Sequence, residues 1–274
     1  MRTFQMKSYL NLGHKLIASG DRVETRTGPT RSLTGQSLSF DLSEGFPLLT
    51  SKYINFNHIK HEVIWYLMGT DSIKYLKDHN IHIWDAWASP EDSIGPTYGY
   101  QWRNFNNDSD KGDQFWSVVS LLRTDRSTRR ALINGWNPLQ LAEMALPPCI
   151  VNLHYIPRGS IDANTTQLLD LVVYQRSADF CLGVPYDIAE MALLLHIMSE
   201  LAGYTPGKLT VMYGDLHIYE NHIQTFLTEQ ASNPIHPLPT LANLSITPIN
   251  EYFDIKCDLI NYIHGPRIRY ELAV

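Results

Sequence analysis

The sequence predicts an α+β layered domain, and three observations lead there. Short segments rich in β-branched and aromatic residues, mostly without clean apolar–polar alternation, are interleaved irregularly with helical patterns. One of those helical patterns is apolar on nearly every side, as befits a helix buried between layers. No Gly/Ser-rich linker, internal repeat or low-complexity tract divides the chain, so residues 1–274 are read as one domain.

In chain order, Leu38–Leu42 is the first expected strand. Asn57–Asp78 reads as a helix, because Ile59, Val63, Ile64 and Leu67 recur at helical spacing, with Gly69 near a break. Strands follow at Ala131–Trp136 and Ile150–Tyr155, then a polar loop from Pro157 to Gln167 and a strand at Leu168–Tyr174. The apolar helix runs from about Asp187 to Gly203 through Ile188, Met191, Leu194, Leu195 and Met198, and Gly203 suits its C-terminal cap. A strand at Leu209–Tyr213 comes next. Asn233–Pro239 holds three prolines and reads as a stiff, extended connector.

Composition narrows the function. With 44% hydrophobic and 18% charged residues the chain can build a sizeable core. The net charge of -6 carries no basic excess, which argues against nucleic acid as the main partner. No apolar run is long enough to span a bilayer, and the N-terminal stretch lacks the apolar core of a secretory signal. The three cysteines, Cys149, Cys181 and Cys257, have no metal-ligand spacing, so reduced thiols in the cytoplasm and no metal site are expected.

The candidate chemistry clusters around Cys149. It follows Pro147-Pro148 and precedes an expected strand, so the backbone can present the thiol in one direction; a buried, inert cysteine is the competing reading. Gln175-Arg176-Ser177 ends another strand, with Asp179, Gly183, Pro185 and Asp187 close behind. Arg176 near a thiol would favour the thiolate and suits phosphate, although alone it reads better as a surface salt bridge. Arg26 and the adjacent Arg129 and Arg130 are either solvated charges or a phosphate clamp. Neighbours on one strand point to opposite faces, so the pair can share a site only from an irregular segment or across an interface. Glu62 lies on an otherwise apolar helix, where its position favours the wet face over a buried acid. Trp84 and Trp87 either pack or stack on a flat ligand, and His217 and Tyr219 share a strand face where both can reach a hydroxyl. A metal held by Asp215, His217 and His222 is the weaker reading of that segment.

Together these segments resemble the thymidylate synthase family nearly end to end. The pieces that carry the resemblance are Gly45-Phe-Pro-Leu, His61-Glu-Val-Ile-Trp-Tyr-Leu, Ile83-Trp-Asp-Ala-Trp-Ala, Gly95-Pro-Thr-Tyr-Gly, Arg129-Arg130, Leu146-Pro-Pro-Cys149, Tyr174-Gln-Arg-Ser-Ala-Asp179, Leu182-Gly-Val-Pro-Tyr-Asp-Ile-Ala189 and Gly214-Asp-Leu-His-Ile-Tyr-Glu-Asn-His222. Each is weak alone; their order and spacing are specific. The resemblance implies a three-layer fold with a large mixed sheet at the interface of a homodimer, and 5,10-methylenetetrahydrofolate as carbon donor. It implies Cys149 as the nucleophile at C6 of the base. It implies Arg26, Arg176 and Ser177 as phosphate ligands, with Arg129 and Arg130 serving the other subunit's site. By the same likeness His217 and Tyr219 contact the ribose, and Glu62 and Tyr98 belong to the proton and water network. Trp84, Leu146, Asp179 and Gly183 contact the folate, and the tail ending in Val274 closes over the ligands. Thiolate addition at C6 makes C5 a nucleophile, which is the chemical sense of the arrangement.

Two departures bear on the base. Ordinary members resemble this chain but carry Asn where Asp187 stands, and His where Ile150 stands. An Asn amide can donate to uracil O4 and accept from N3–H, whereas an ionised Asp accepts from cytosine N4–H2 and faces uracil O4 acceptor to acceptor. Family members acting on cytosine nucleotides share the Asp. The expected reaction is therefore methylation of dCMP to 5-methyl-dCMP, with Ser177 retained as in deoxynucleotide enzymes, and Trp84, Trp87 and the Ala-Val tail retained as in methyl-forming ones. Hydroxymethylation of dCMP, ordinary dUMP methylation, and an inactive nucleotide- or RNA-binding paralogue are the alternatives.

Overall fold

The computed structural model describes residues 4–108, 111–159, 167–249 and 252–272. Helix α1 (Phe4–Ser19) leads into the hairpin β1 (Asp21–Thr25) and β2 (Gly28–Asp41). Helices α2 (Phe56–Met68), α3 (Lys74–Asp78), α4 (Gly99–Arg103) and α5 (Gln114–Thr124) follow. Then come β3 (Leu132–Asn134), β4 (Ile150–Arg158), β5 (Leu168–Asp179), α6 (Gly183–Ala202), β6 (Thr205–Tyr219) and α7 (Glu220–Thr225). A hairpin of β7 (Thr240–Ile249) and β8 (Tyr252–Ile260) completes the order.

One sheet carries the strand order β1-β2-β6-β5-β4-β3. Only β5 and β6 run parallel, and α6 is the crossover that such a pair requires. Alternation along β6 orients the sheet: Leu209, Val211 and Tyr213 are buried, while Lys208 and Met212 face outward. Leu169, Leu171 and Val173 of β5 do the same. Helices α1 and α6 pack on the buried face. The outward face keeps Tyr174 and Met212, a paired couple 40% and 47% exposed, uncovered by any helix among the described residues.

Helix α6 touches the sheet through β5 and β6 and also packs against α2 and α5. That explains why its residues are buried on nearly every side, as the sequence pattern required. It starts a turn earlier than expected, at Gly183, because Asp179 Oδ1 accepts the backbone N–H groups of Cys181 and Leu182 just ahead of it. Gly203 closes it in the left-handed conformation, φ 75°, as anticipated. The helix expected over Asn57–Asp78 is two helices. Gly69 adopts φ 65° and its N–H bonds the Tyr66 carbonyl, which ends α2; α3 restarts at Lys74. Four of the five expected strands are longer than expected, β2 by ten residues at its N-terminal end (from Leu38 back to Gly28), since hairpin pairing with β1 continues the ladder, whereas β3 covers only Leu132–Asn134 of the expected Ala131–Trp136. Asn233–Pro239 forms no helix or strand, in keeping with its prolines. Of the polar Pro157–Gln167 loop, residues 160–166 lie outside the described residues.

Candidate active site

Cys149 sits at the lip of β4, where a register shift between Ile150 and Asn152 interrupts pairing with β5. Arg176 pins this lip. Its backbone N–H donates to the Cys149 carbonyl at 2.8 Å, Nε to the Pro148 carbonyl at 3.0 Å, and Nη2 to the Pro147 carbonyl at 2.8 Å. Among the described residues Nη1 makes no bond, so the guanidinium retains donors for an anion. Its Cζ lies 5.4 Å from the Trp136 ring centroid. Tyr98 holds the lip from the other side: its hydroxyl oxygen accepts the Cys149 N–H at 3.1 Å. Tyr98 itself occupies a strained conformation, φ 46° and ψ -115°, of the kind that concentrates at functional sites.

Cys149 is half-buried. Burial pushes its thiol above the ordinary range, the Arg176 guanidinium pulls it down, and the Asp187 carboxyl pushes it up again. The sequence-based expectation that Arg176 would favour the thiolate has the right sign, but desolvation outweighs it in the free chain. The thiol is therefore the resting form, and activation awaits whatever occupies the site.

Behind the thiol lie three carboxyl groups, those of Glu62 and Glu190 buried and that of Asp187 half-buried. Asp187 of α6 accepts from Gln175 Nε2 at 2.6 Å, and burial, with Glu62 and Asp179 adding to it, raises its pKa to about 7. A Cβ built on Gly183 would lie 3.3 Å from Asp187 Oδ2, so glycine there leaves the carboxyl room. Glu62 is only 6% exposed, which corrects the wet-face reading from its helical position. It faces α6, and its Oε1 accepts from Trp84 Nε1 at 2.8 Å and Tyr66 hydroxyl at 3.0 Å. Burial raises its carboxyl, and these donors offset part of the rise. The third is Glu190, which the sequence reading missed because a lone acid on an apolar helix reads as a solvated exception. It is 2% exposed and lies three residues from Asp187 on the same helix.

Aromatic rings wall this pocket. Trp84 meets Tyr98 at 5.3 Å and Trp87 at 5.6 Å between centroids, and Tyr98 stacks on Tyr66 at 5.6 Å. Trp84 thus packs and also donates to Glu62. Leu146 joins the wall through the bond from Thr97 Oγ1 to its carbonyl, 3.0 Å. Trp87 and Leu146, partly buried against the buried Trp84 and Tyr98, offer apolar surface that fits a flat heteroaromatic co-substrate.

The parallel pair β5·β6 brings Ser177 opposite Asp215 and Asp179 opposite His217. His217 and Tyr219 share a face as expected, ring centroids 5.5 Å apart. Buried His217 Nδ1 has no hydrogen-bond partner and lies 3.7 Å from Asp215 Oδ1. His222 turns away to the Glu271 carbonyl at 2.9 Å, so the three do not converge, and among the described residues no other metal-ligand group does. Tyr219 bonds Thr27 Oγ1 at 2.9 Å, next to Arg26 in the exposed β1–β2 turn. A cavity of about 340 Å³ there is lined by Thr27, Tyr219, Asn221, Glu271 and Leu272, so the start of the tail lies beside this turn. Val274 lies outside the described residues. Arg129 and Arg130 are exposed on an irregular segment just before the edge strand β3, and no bond ties them to the Cys149 lip among the described residues.

Lys52 is a second buried polar residue that sequence reasoning missed. Its Nζ donates to the Cys181 carbonyl at 2.7 Å and lies 4.8 Å over the Tyr270 ring. Burial lowers its pKa to about 8, with Cys181 and Asp179 opposing the fall. No spacing rule marks it, since its partners lie far along the chain.

The thymidylate synthase family model matches residues 7–274. The chain belongs to the thymidylate synthase family. Thymidylate synthase family membership makes it a folate-dependent transferase of one carbon to C5 of a pyrimidine nucleotide, with methylenetetrahydrofolate as co-substrate. The mixed six-stranded sheet with its helical layers accords with that fold. No described helix is long and apolar enough to cross a membrane.

Proposed function

We propose that this family member methylates dCMP at C5. The observation that carries the reading is Asp187: a half-buried carboxyl, fixed by Gln175 and lying among the groups that act on Cys149. With its pKa near 7 it has two ways to meet cytosine. Protonated, it donates to N3 and accepts from N4–H2; ionised, it accepts from N4–H2 and stabilises a proton gained by N3. Facing uracil, the ionised form meets O4 with a repulsive contact that buried surroundings do not relieve.

The roles of the other residues follow the likeness to the thymidylate synthase family. Arg176 and Ser177, with Arg26 and the partner subunit's arginines at the positions of Arg129 and Arg130, bind phosphate. The exposed sheet face with Tyr174 and Met212 supports the dimer that this sharing needs. Phosphate on Arg176 also holds that guanidinium beside the thiol. Cys149 Sγ adds to C6, and N3 takes up the charge toward Asp187. Tyr98 and Glu62 hold and move protons near the base, while His217 and Tyr219 orient the ribose. Methylenetetrahydrofolate, when bound, supplies the carbon and, for a methyl product, the hydride. Trp84, Trp87, Leu146, Asp179 and Gly183 would hold it, and the buried Trp84 excludes water, which supports methyl over hydroxymethyl.

Equilibrium binding separates the substrates directly. Titration calorimetry of the full chain should give tighter binding of dCMP than of dUMP by at least about tenfold, one 1.4 kcal/mol step. Equal or reversed affinities would remove the role given to Asp187.

A further inference from the structure

Glu190 has no part in the reaction as described, yet its position is costly. An ionised carboxylate on α6 at 2% exposure loses most of its hydration and needs strong partners in return. It has few: the Tyr66 hydroxyl is its one neutral donor, and Oε2 is buried without a hydrogen-bond partner. The groups that act on it are the Glu62 and Asp187 carboxyls and the Tyr66 hydroxyl, while the Tyr186 phenol in turn feels Glu190. Tyr98 completes the surrounding set through Tyr66. None of these groups is cationic.

Glu62 faces Glu190 across the α2–α6 contact, side chain to side chain within hydrogen-bond reach. Two ionised carboxylates there would repel, whereas one proton between them turns the clash into a charge-assisted O–H···O⁻ bond. The donors decide where that proton rests. Glu62 already accepts from Trp84 and Tyr66, which stabilise its ionised form. Glu190 has Tyr66 alone, and its Oε2 has no donor.

We propose that Glu190 is a positioning residue that stores one proton for Glu62, donating to the Glu62 carboxylate at rest and passing the proton to it during turnover. In that transfer the O–H bond of Glu190 breaks, one forms on Glu62, and the charge of the pair is unchanged. Burial, acting on both groups, raises both carboxyls, which agrees with a retained proton. The proposal rests on the reading that Glu62 handles protons near the base.

Infrared spectroscopy of the unliganded full chain, labelled with carboxyl-¹³C glutamate, tests it without substrate. A protonated glutamic carboxyl is expected at neutral pH, and Glu190→Gln, which keeps a donor to Glu62, should abolish it. The alkaline limb of kcat/KM in that variant should move to lower pH by about one unit or more, because the pair no longer titrates as a unit. A merely packing role would leave the profile in place. Absence of the band in the unmodified protein, its persistence in the Gln variant, or superimposable pH profiles would each overturn the proposal. If neither dCMP nor dUMP reacts, the functional reading fails separately and the infrared result still locates the proton.

Discussion

Asp187→Asn is the most informative single change. The two side chains have the same shape, so the packing around this first turn of α6 is preserved and only the hydrogen-bonding edge is altered. Gln175 is prepared for the exchange: its Nε2 serves Asp187 while its Oε1 is buried and unpaired, so turning the amide over lets Oε1 accept from the new Asn. With dCMP, the variant loses a charge-assisted bond and sets donor against donor at N4. Hydrogen bonds to charged groups contribute about 1.5–3 kcal/mol. At about 1.4 kcal/mol per tenfold, kcat/KM for dCMP should fall about a hundredfold. The gain for dUMP should be comparable, because the amide now complements O4 and N3–H. Initial rates on both nucleotides measure this. Unchanged dCMP activity with no gain on dUMP would refute the reasoning.

The same variant carries a stability signature. Burial raises the Asp187 pKa from its ordinary 3.8 to about 7, so the folded chain holds this proton more tightly than the unfolded chain. The folded state is therefore penalised progressively as pH rises from the unfolded value toward 7, and fully above it, by an amount on the order of a few kcal/mol. Asp187→Asn removes the penalty. Its melting temperature should exceed that of the parent chain under mildly alkaline conditions, and the difference should vanish near pH 4.

Three further outcomes follow from the same contacts. In the parent chain the preference for dCMP over dUMP should strengthen as pH rises through about 7, because the ionised Asp187 is the form that repels O4; rate ratios across that range check it. Cys149→Ser should lower turnover by about a thousandfold or more while dCMP still binds, since the hydroxyl is a far weaker nucleophile than the thiolate; turnover and calorimetry measure the two sides. Trp84→Leu removes the donor to Glu62 Oε1 and opens the wall, so the share of hydroxymethyl product should rise, read by product mass.

Much of the site was legible because its chemistry is concentrated in short segments. Pro147-Pro148-Cys149 and Gln175-Arg176-Ser177 are each local, and strand pairing of β4 with β5 brings them together. His217 and Tyr219 needed only the alternation of a strand. Glu62 was misjudged since helical position cannot tell which neighbour a face will meet, and α6 covers the face that looked wet. Glu190 and Lys52 were invisible for a related reason: their partners come from other elements, and no periodicity encodes a buried acid pair. Among the elements, α5 was missed although Asp113 signals its start, with a carboxyl accepting the Trp116 N–H at 3.1 Å. The β7–β8 hairpin was missed too. Its register shift between Ala242 and Ser245 breaks the alternation that would have revealed it.

The central claim is that Cys149 and Asp187 together direct one carbon to a cytosine base. Incubation of the purified chain with 5,10-methylenetetrahydrofolate and an equimolar mixture of dCMP and dUMP, read by nucleotide mass with absorbance for dihydrofolate, tests it most directly. The account predicts methylated dCMP, dihydrofolate formed alongside it, and dUMP left unreacted. Conversion of dUMP alone would contradict it and give Asp187 no part in choosing the base.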